Sequence, residues 1–307
     1  MDYKRANRAY LYMILATYGL IVVVTLWYSV GGNEINILIN NVLSEAVVLL
    51  PAIAAVLYSG EKLSVLAPMH KIKASSVFLT LVYVIALFPM VAFVNTISMF
   101  FVENTVTELS GEIMEMPMWT MLLSIGIFGP FVEEFVFRGV LLQSFQRTGR
   151  IIGSIVLSAV MFGMMHMNFN QFGYGAVMGV MFALLFEATG SVLAPFIAHA
   201  FFNSIEVVMM YMSADFLDSA TSLADEYMGE FSELVTPFEV AYLFVAAVVF
   251  GVVAFFIVRK IAAIEGRAEF FSNIPKCRKQ GYKLVTVPAV IAMTLCLAYM
   301  IIYAFLD

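Results

Sequence analysis

Apolar residues in this chain run in long unbroken blocks separated by short polar stretches, without the strict alternation or the three-and-four spacing of soluble amphipathic elements. Blocks long enough to cross roughly 30 Å of hydrocarbon, which takes about 20 helical residues, fall at 9–30, 37–59, 75–102, 118–146, 151–168, 172–188, 191–213, 237–258 and 284–305. The pattern predicts about nine transmembrane helices and an all-α, polytopic membrane protein. Continuous runs speak against a transmembrane barrel, whose strands alternate with period two. Too few polar faces remain for a soluble helical protein of this size.

Composition points the same way. Of 307 residues, 62% are hydrophobic and 12% charged, where soluble domains carry about a quarter charged. Charge also predicts orientation. Lys4, Arg5 and Arg8 precede the first block, Lys62, Lys71 and Lys73 follow the second, and Arg147 and Arg150 follow the fourth. Arg259, Lys260, Arg267, Lys276, Arg278, Lys279 and Lys283 follow the eighth. Every Lys and Arg except Arg138 thus falls on one side, the cytoplasmic side by the positive-inside rule. That predicts a cell-membrane, multi-pass protein with a cytoplasmic N-terminus and an outer C-terminus.

The opposite loops carry acids alone: Glu103, Glu108, Glu112 and Glu115 in one, Asp215, Asp218, Asp225, Glu226, Glu230 and Glu233 in another. The acidic balance argues against nucleic acid as a partner. The first apolar run is longer than a signal-peptide core and lacks a clear cleavage site, so it reads as a retained span. Cys277 falls in a basic loop and Cys296 in the last span, which argues against a disulfide or a cysteine metal site.

Nothing divides the chain, so 1–307 reads as a single membrane domain. Its outer helices are nearly pure lipid-phase sequence; Glu45 and Asn95, their polar exceptions, read as interhelical or interfacial hydrogen-bond formers. The central block differs. Residues 118–210 are rich in small residues, including Gly126, Gly129, Gly139, Gly163, Gly175 and Gly179, and contain Pro130 and Pro195. Such residues let backbones approach or bend in a membrane bundle. A central four-helix core is expected there.

This block also carries Glu133-Glu134-x-x-x-Arg138, Phe162-x-x-x-His166 and His199-x-x-x-Asn203. Ionisable residues at membrane depth are costly and mark function by default. Glu134 and Arg138, at i and i+4, form a natural intrahelical pair. Glu133, rotated about 100° from its neighbour on an α-helix, is expected to face the bundle interior unpaired, the setting of a general base. His199 and Asn203 share one helix face and offer a metal ligand or oxyanion donor together with an amide. Glu206 continues that face and reads as structural; His70 reads as a surface residue.

Depth unites these groups. At ~1.5 Å rise per residue, Glu133 lies about 21 Å from Arg147 and His166 about 24 Å from Arg150, near mid-membrane on helices of opposite direction. Two carboxylates, two imidazoles and an amide at one level suit hydrolysis by activated water. Glu133, His166 and His199 are acceptable zinc ligands, but without a His-Glu-x-x-His pair the spacing leaves open one divalent metal or none. A proton-coupled transporter and a non-catalytic bacteriocin-immunity-type protein are the alternatives.

In order and spacing these three motifs resemble the CPBP family, the CAAX-protease-like and bacteriocin-processing intramembrane endopeptidases related to the eukaryotic Rce1 prenyl-protein protease. The resemblance covers residues 118–210. It implies an intramembrane endopeptidase, metallo- or glutamic, acting on a membrane-associated peptide or protein substrate. In it Glu133 would activate water, His166 would assist or orient it, and His199 and Asn203 would form an oxyanion hole.

Overall fold

The computed structural model describes residues 1–31, 35–224, 235–274 and 283–306. The apolar blocks are helical: α1 (Tyr3–Gly31), α2 (Ile37–Ser59), α3 (Ala74–Ser98), α4 (Met118–Gln146), α5 (Ile151–Met165), α6 (Phe169–Thr189), α7 (Leu193–Ala224), α8 (Pro237–Ile264) and α9 (Val287–Leu306). Among the described residues, eight of these are long and apolar enough to cross a membrane. The protein is a polytopic helical membrane protein.

The expected fifth span falls short. α5 has 15 residues, about 22 Å of helix, because the chain turns at His166–Asn168 and starts α6. Met167 takes φ 59° there, a left-handed conformation uncommon for a side-chain-bearing residue. The Asn168 side chain holds the turn, accepting from the Gln171 backbone N–H at 2.8 Å and donating to the His166 carbonyl at 2.9 Å.

The seventh span falls where expected, at Leu193–Met212, but its helix is longer. α7 runs to Ala224, so Asp215 and Asp218 extend a helix rather than a loop; neither Gly nor Pro occurs between Ala198 and Ala224 to stop it. Asp225, Glu226, Glu230 and Glu233 lie outside the described residues, as does Cys277. α8 starts where Thr236 and Glu239 form a reciprocal capping box with Pro237 at the first turn.

Two apolar clusters flank the centre. Tyr10, Met13, Phe137, Phe145, Met161 and Cys296 join α1, α4, α5 and α9. Tyr83, Leu87, Phe182, Leu185, Phe202 and Val258 join α3, α6, α7 and α8. Exposed Val22, Val23, Leu26 and Trp27 on α1, and Phe244, Val245, Val248 and Val249 on α8, form the outward apolar faces that suit lipid.

Polar contacts define two ends. At one, Arg147 bonds Glu61 at 2.6 Å, Lys73 N–H donates to Glu265 at 2.9 Å, Arg267 to the Glu187 carbonyl at 2.8 Å, and Asn7 to the Leu284 carbonyl at 2.8 Å. The described parts of the basic loops gather at this end, whereas Lys276, Arg278 and Lys279 lie outside the described residues. His70 is exposed there, its Nε2 3.3 Å from the Thr189 carbonyl oxygen. At the other, Tyr211 bonds the Met116 carbonyl at 2.6 Å and Asn170 donates to Asn95 at 2.8 Å. Asn95 thus joins helices, as its sequence setting suggests. This second end carries the acidic loop 103–115.

α4 is the irregular helix. It is π-helical over Leu122–Phe128 and Phe135–Leu142, with an α-helical turn Gly129–Glu134 between. The first irregularity has a local cause. Gly129 N–H bonds the Ser124 carbonyl, five residues back; in that register the Ile125 carbonyl would need a donor from residue 130, and Pro130 has none. Asn203 of α7 supplies it, its Nδ2 donating to the Ile125 carbonyl at 3.1 Å.

Candidate active site

Four helices carry the site. α4 presents Glu133, Glu134 and Arg138, the end of α5 presents His166, α6 packs behind, and α7 presents His199 and Asn203. The close approach of α5 to α6 depends on glycine. A Cβ on Gly163 would stand 2.7 Å from the Phe172 carbonyl oxygen, and one on Gly179 would stand 2.8 Å from Ala159 Cα; both are shorter than any tolerated carbon contact. Gly175 likewise leaves room for the His166 ring, whose Cδ2 would be 3.3 Å from an added Cβ.

His199 is the hub. Its Nδ1 lies 2.9 Å from Glu134 Oε1 and its Nε2 lies 3.5 Å from Glu133 Oε2. Both carboxylates therefore converge on one imidazole, where the sequence suggested an unpaired Glu133. The 100° separation of adjacent residues is bridged by a ring with a nitrogen on each side. Glu134 Oε1 also receives Arg138, Nη1 at 2.8 Å, and both residues are buried at 0% and 1% exposure. The Arg138 guanidinium stacks over Phe162 at 4.4 Å and Phe182 at 5.4 Å, and its Nη2 donates to the Gly179 carbonyl at 3.4 Å. Arg138 thus neutralises Glu134, and Glu134 fixes the orientation of His199 as a carboxylate fixes a ligand imidazole.

Phe162 stands between the two imidazoles, its ring centroid 5.4 Å from that of His166 and 5.8 Å from that of His199. Glu133, His166, His199 and Asn203 all line one cavity of about 640 Å³. Its walls reach α1, α2, α6 and α9 and extend past Asn40 and Thr105 to Glu112 at the acidic end. The structure thus brings the sequence-predicted residues together, with Glu134 and Arg138 behind the wall.

Two further carboxylates reach the cavity. Glu206, read as structural, lines the cavity beside Tyr174. Glu45, read as a helix-joining hydrogen-bond former, has a buried Oε2 without a hydrogen-bond partner and also lines the cavity. The only sequence signal for Glu45 was its position as a carboxylate within an apolar helix.

A divalent metal here would draw its donors from Glu133, His166 and His199. Glu133 and His199 approach each other, but among the described residues no three His, Cys, Asp or Glu side chains are grouped as a metal cage.

Sequence comparison with known proteins falls on the same stretch of chain. Residues 115–205 match the family described as type II CAAX prenyl endopeptidase, Rce1-like, the stretch that carries all three motifs. The candidate membrane peptidase YdiL of Bacillus subtilis (strain 168) is 28% identical over 89 residues, 29% of this chain and 36% of that protein. The membrane-embedded CAAX protease MroQ of Staphylococcus aureus (strain USA300) is 30% identical over 107 residues, 33% of this chain and 43% of that protein. The match thus spans less than half the length of either relative. No solved structure matches.

Proposed function

We propose that the protein is an intramembrane endopeptidase that hydrolyses peptide bonds of a membrane-associated peptide or protein within the central cavity. The observation that carries this reading is the convergence of Glu133 and Glu134 on His199 in a cavity that His166 and Asn203 also line. The family match and the printed names of the two relatives support it. Residues 118–210 form the catalytic core of one membrane domain, and the basic end faces the cytoplasm.

Glu133 holds a water against its carboxylate, with His166 orienting it. As the water oxygen bonds to the scissile carbonyl carbon, its proton passes to Glu133. The resulting oxyanion is met by N–H donors: the second Asn203 amide hydrogen, the first being held by Ile125, and Nε2–H of a doubly protonated His199, whose Nδ1–H is given to Glu134. Glu133 then returns the proton to the departing amine as the C–N bond breaks. Glu134 and Arg138 act through His199, keeping its ring aimed into the cavity.

The test is peptide cleavage by purified protein in lipid nanodiscs, comparing wild type with Glu133→Gln at matched thermal stability. Loss of about 10²–10⁴ in kcat is expected for removing a general base. A variant that cleaves at the wild-type rate would refute the assignment.

A further inference from the structure

The cavity contains a carboxylate for which the hydrolytic scheme has no use. Glu45, on α2, is 8% exposed, lines the cavity, and leaves Oε2 without a hydrogen-bond partner. Its Oε1 lies 3.1 Å from where a Cβ on Gly129 would stand, so the bare backbone of α4 at Gly129 gives the group its place. Gly129 is one turn before Glu133, which sets Glu45 about 5.4 Å from the catalytic level, on the side of the acidic end.

Isolated buried carboxylates are costly and are neutralised by a proton or by a cation. Glu134 has Arg138 and Glu133 faces His199, whereas among the described residues Glu45 has no cationic partner. The cavity around it favours a cation supplied from outside: Glu45, Glu112, Glu133 and Glu206 line it, and among the described residues no Lys or Arg does. Its walls run to the end whose loop 103–115 is likewise free of Lys and Arg. A positively charged segment entering there would meet carboxylates along its whole path.

We propose that Glu45 forms a subsite for a cationic side chain of the substrate, a Lys or Arg about two residues from the scissile bond in an extended peptide rising ~3.3 Å per residue. This subsite rests on the peptidase reading and adds substrate class to it.

The test uses full-length protein in nanodiscs and quenched fluorescent peptides of one apolar sequence, in which a single Lys is moved position by position and compared with norleucine or Glu. Wild type is expected to cleave the peptide with Lys about two residues from the cut roughly ten- to a hundredfold better than its norleucine counterpart, mainly through KM. Glu45→Gln should bring that ratio to within about twofold of one, and Glu45→Lys should turn it toward the Glu peptide. Equal cleavage of the Lys and norleucine peptides by wild type, or a Lys preference that survives Glu45→Gln, overturns the proposal.

A proton-bearing Glu45 that only joins helices predicts one or other of those two results, with a lowered Tm for Glu45→Gln. Binding of the same peptides to Glu133→Gln, read by fluorescence anisotropy, separates the two readings. A Lys preference in binding that Glu45→Gln removes supports the subsite even where wild type cuts nothing, a result that refutes peptidase activity alone; binding without charge preference refutes the subsite.

Discussion

Removing the Arg138 guanidinium should be among the most damaging single changes to the fold, and neutralising its partner should repair much of that damage. Arg138 and Glu134 are 1% and 0% exposed, 2.8 Å apart, with the guanidinium packed against Phe162 and Phe182. Such a pair adds little net stability compared with apolar residues, because the desolvation of both charges offsets their attraction. Breaking it leaves one buried charge uncompensated, which costs about 3–5 kcal/mol. Arg138→Met keeps most of the side-chain volume and isolates Glu134, whose remaining close partner is His199 Nδ1 at 2.9 Å.

Arg138→Met is therefore expected to lose about 3–5 kcal/mol, whereas Arg138→Met combined with Glu134→Gln should regain about 2 kcal/mol or more of it, a coupling of the size expected for residues in one network. Reversible unfolding in mixed micelles would read both values in one double-mutant cycle. Cleavage should not return with stability in the double variant, since His199 loses its charged anchor. The reasoning fails if the single variant stays within about 1 kcal/mol of wild type, or if the double variant is less stable than the single one.

Three further outcomes follow from the geometry. Asn203→Leu removes the donor to the Ile125 carbonyl that Pro130 leaves unserved, and should cost about 1–3 kcal/mol with faster hydrogen exchange confined to residues near 125–131; unchanged exchange there would refute the role. Gly179→Ala drives a Cβ into Ala159 and should destabilise by about 1–3 kcal/mol, with cleavage falling as α5 and His166 shift; a variant as stable and active as wild type would show the contact to be loose. At the basic end, the Arg147 guanidinium beside Glu61 holds its carboxyl down at about 2, below the ordinary value. Its contribution is thus fully present above the unfolded carboxyl's titration range and is lost only as pH falls through about 2. The Met1 ammonium also bonds Glu61, and α-amino groups ordinarily titrate at about 7.7–8, so the window lies below that: Glu61→Gln should cost the same at about pH 6.5 and pH 5.5, about 0–1 kcal/mol for a pair so open to solvent, and a penalty that differs between those two pH values would contradict it.

Much of the helical plan was legible because each apolar block is long enough to cross a bilayer and polar residues punctuate them. Helix ends were less legible. α5 stops at Met165 because Asn168 caps the next helix, and α7 continues past its apolar stretch because Asp215 and Asp218 are tolerated in a helix without Gly or Pro. The site motifs could be placed on one level by counting turns from the basic loops. Their mutual contacts could not, since α-helical angles separate Glu133 from Glu134 while His199, one ring on another helix, reaches both. Pro130 announces a carbonyl in α4 without its backbone donor, yet which carbonyl that is, and that Asn203 lies across from it, depends on the π register at Ile125. Glu45 was misread because, within its own helix, a helix-joining carboxylate and a cavity-lining one have the same sequence setting.

The central claim is that side chains from α4, α5 and α7 meet around one water and a peptide bond. An experimental structure of Glu133→Gln in lipid with an uncleaved peptide bound tests it most directly. It should show the scissile carbonyl oxygen within hydrogen-bond reach of His199 Nε2 or Asn203 Nδ2, and a water about 3–3.5 Å from the carbonyl carbon beside position 133. A peptide seated outside the cavity, or His166 and His199 more than about 10 Å from the carbonyl when hydrogen bonding requires about 3 Å, would contradict it.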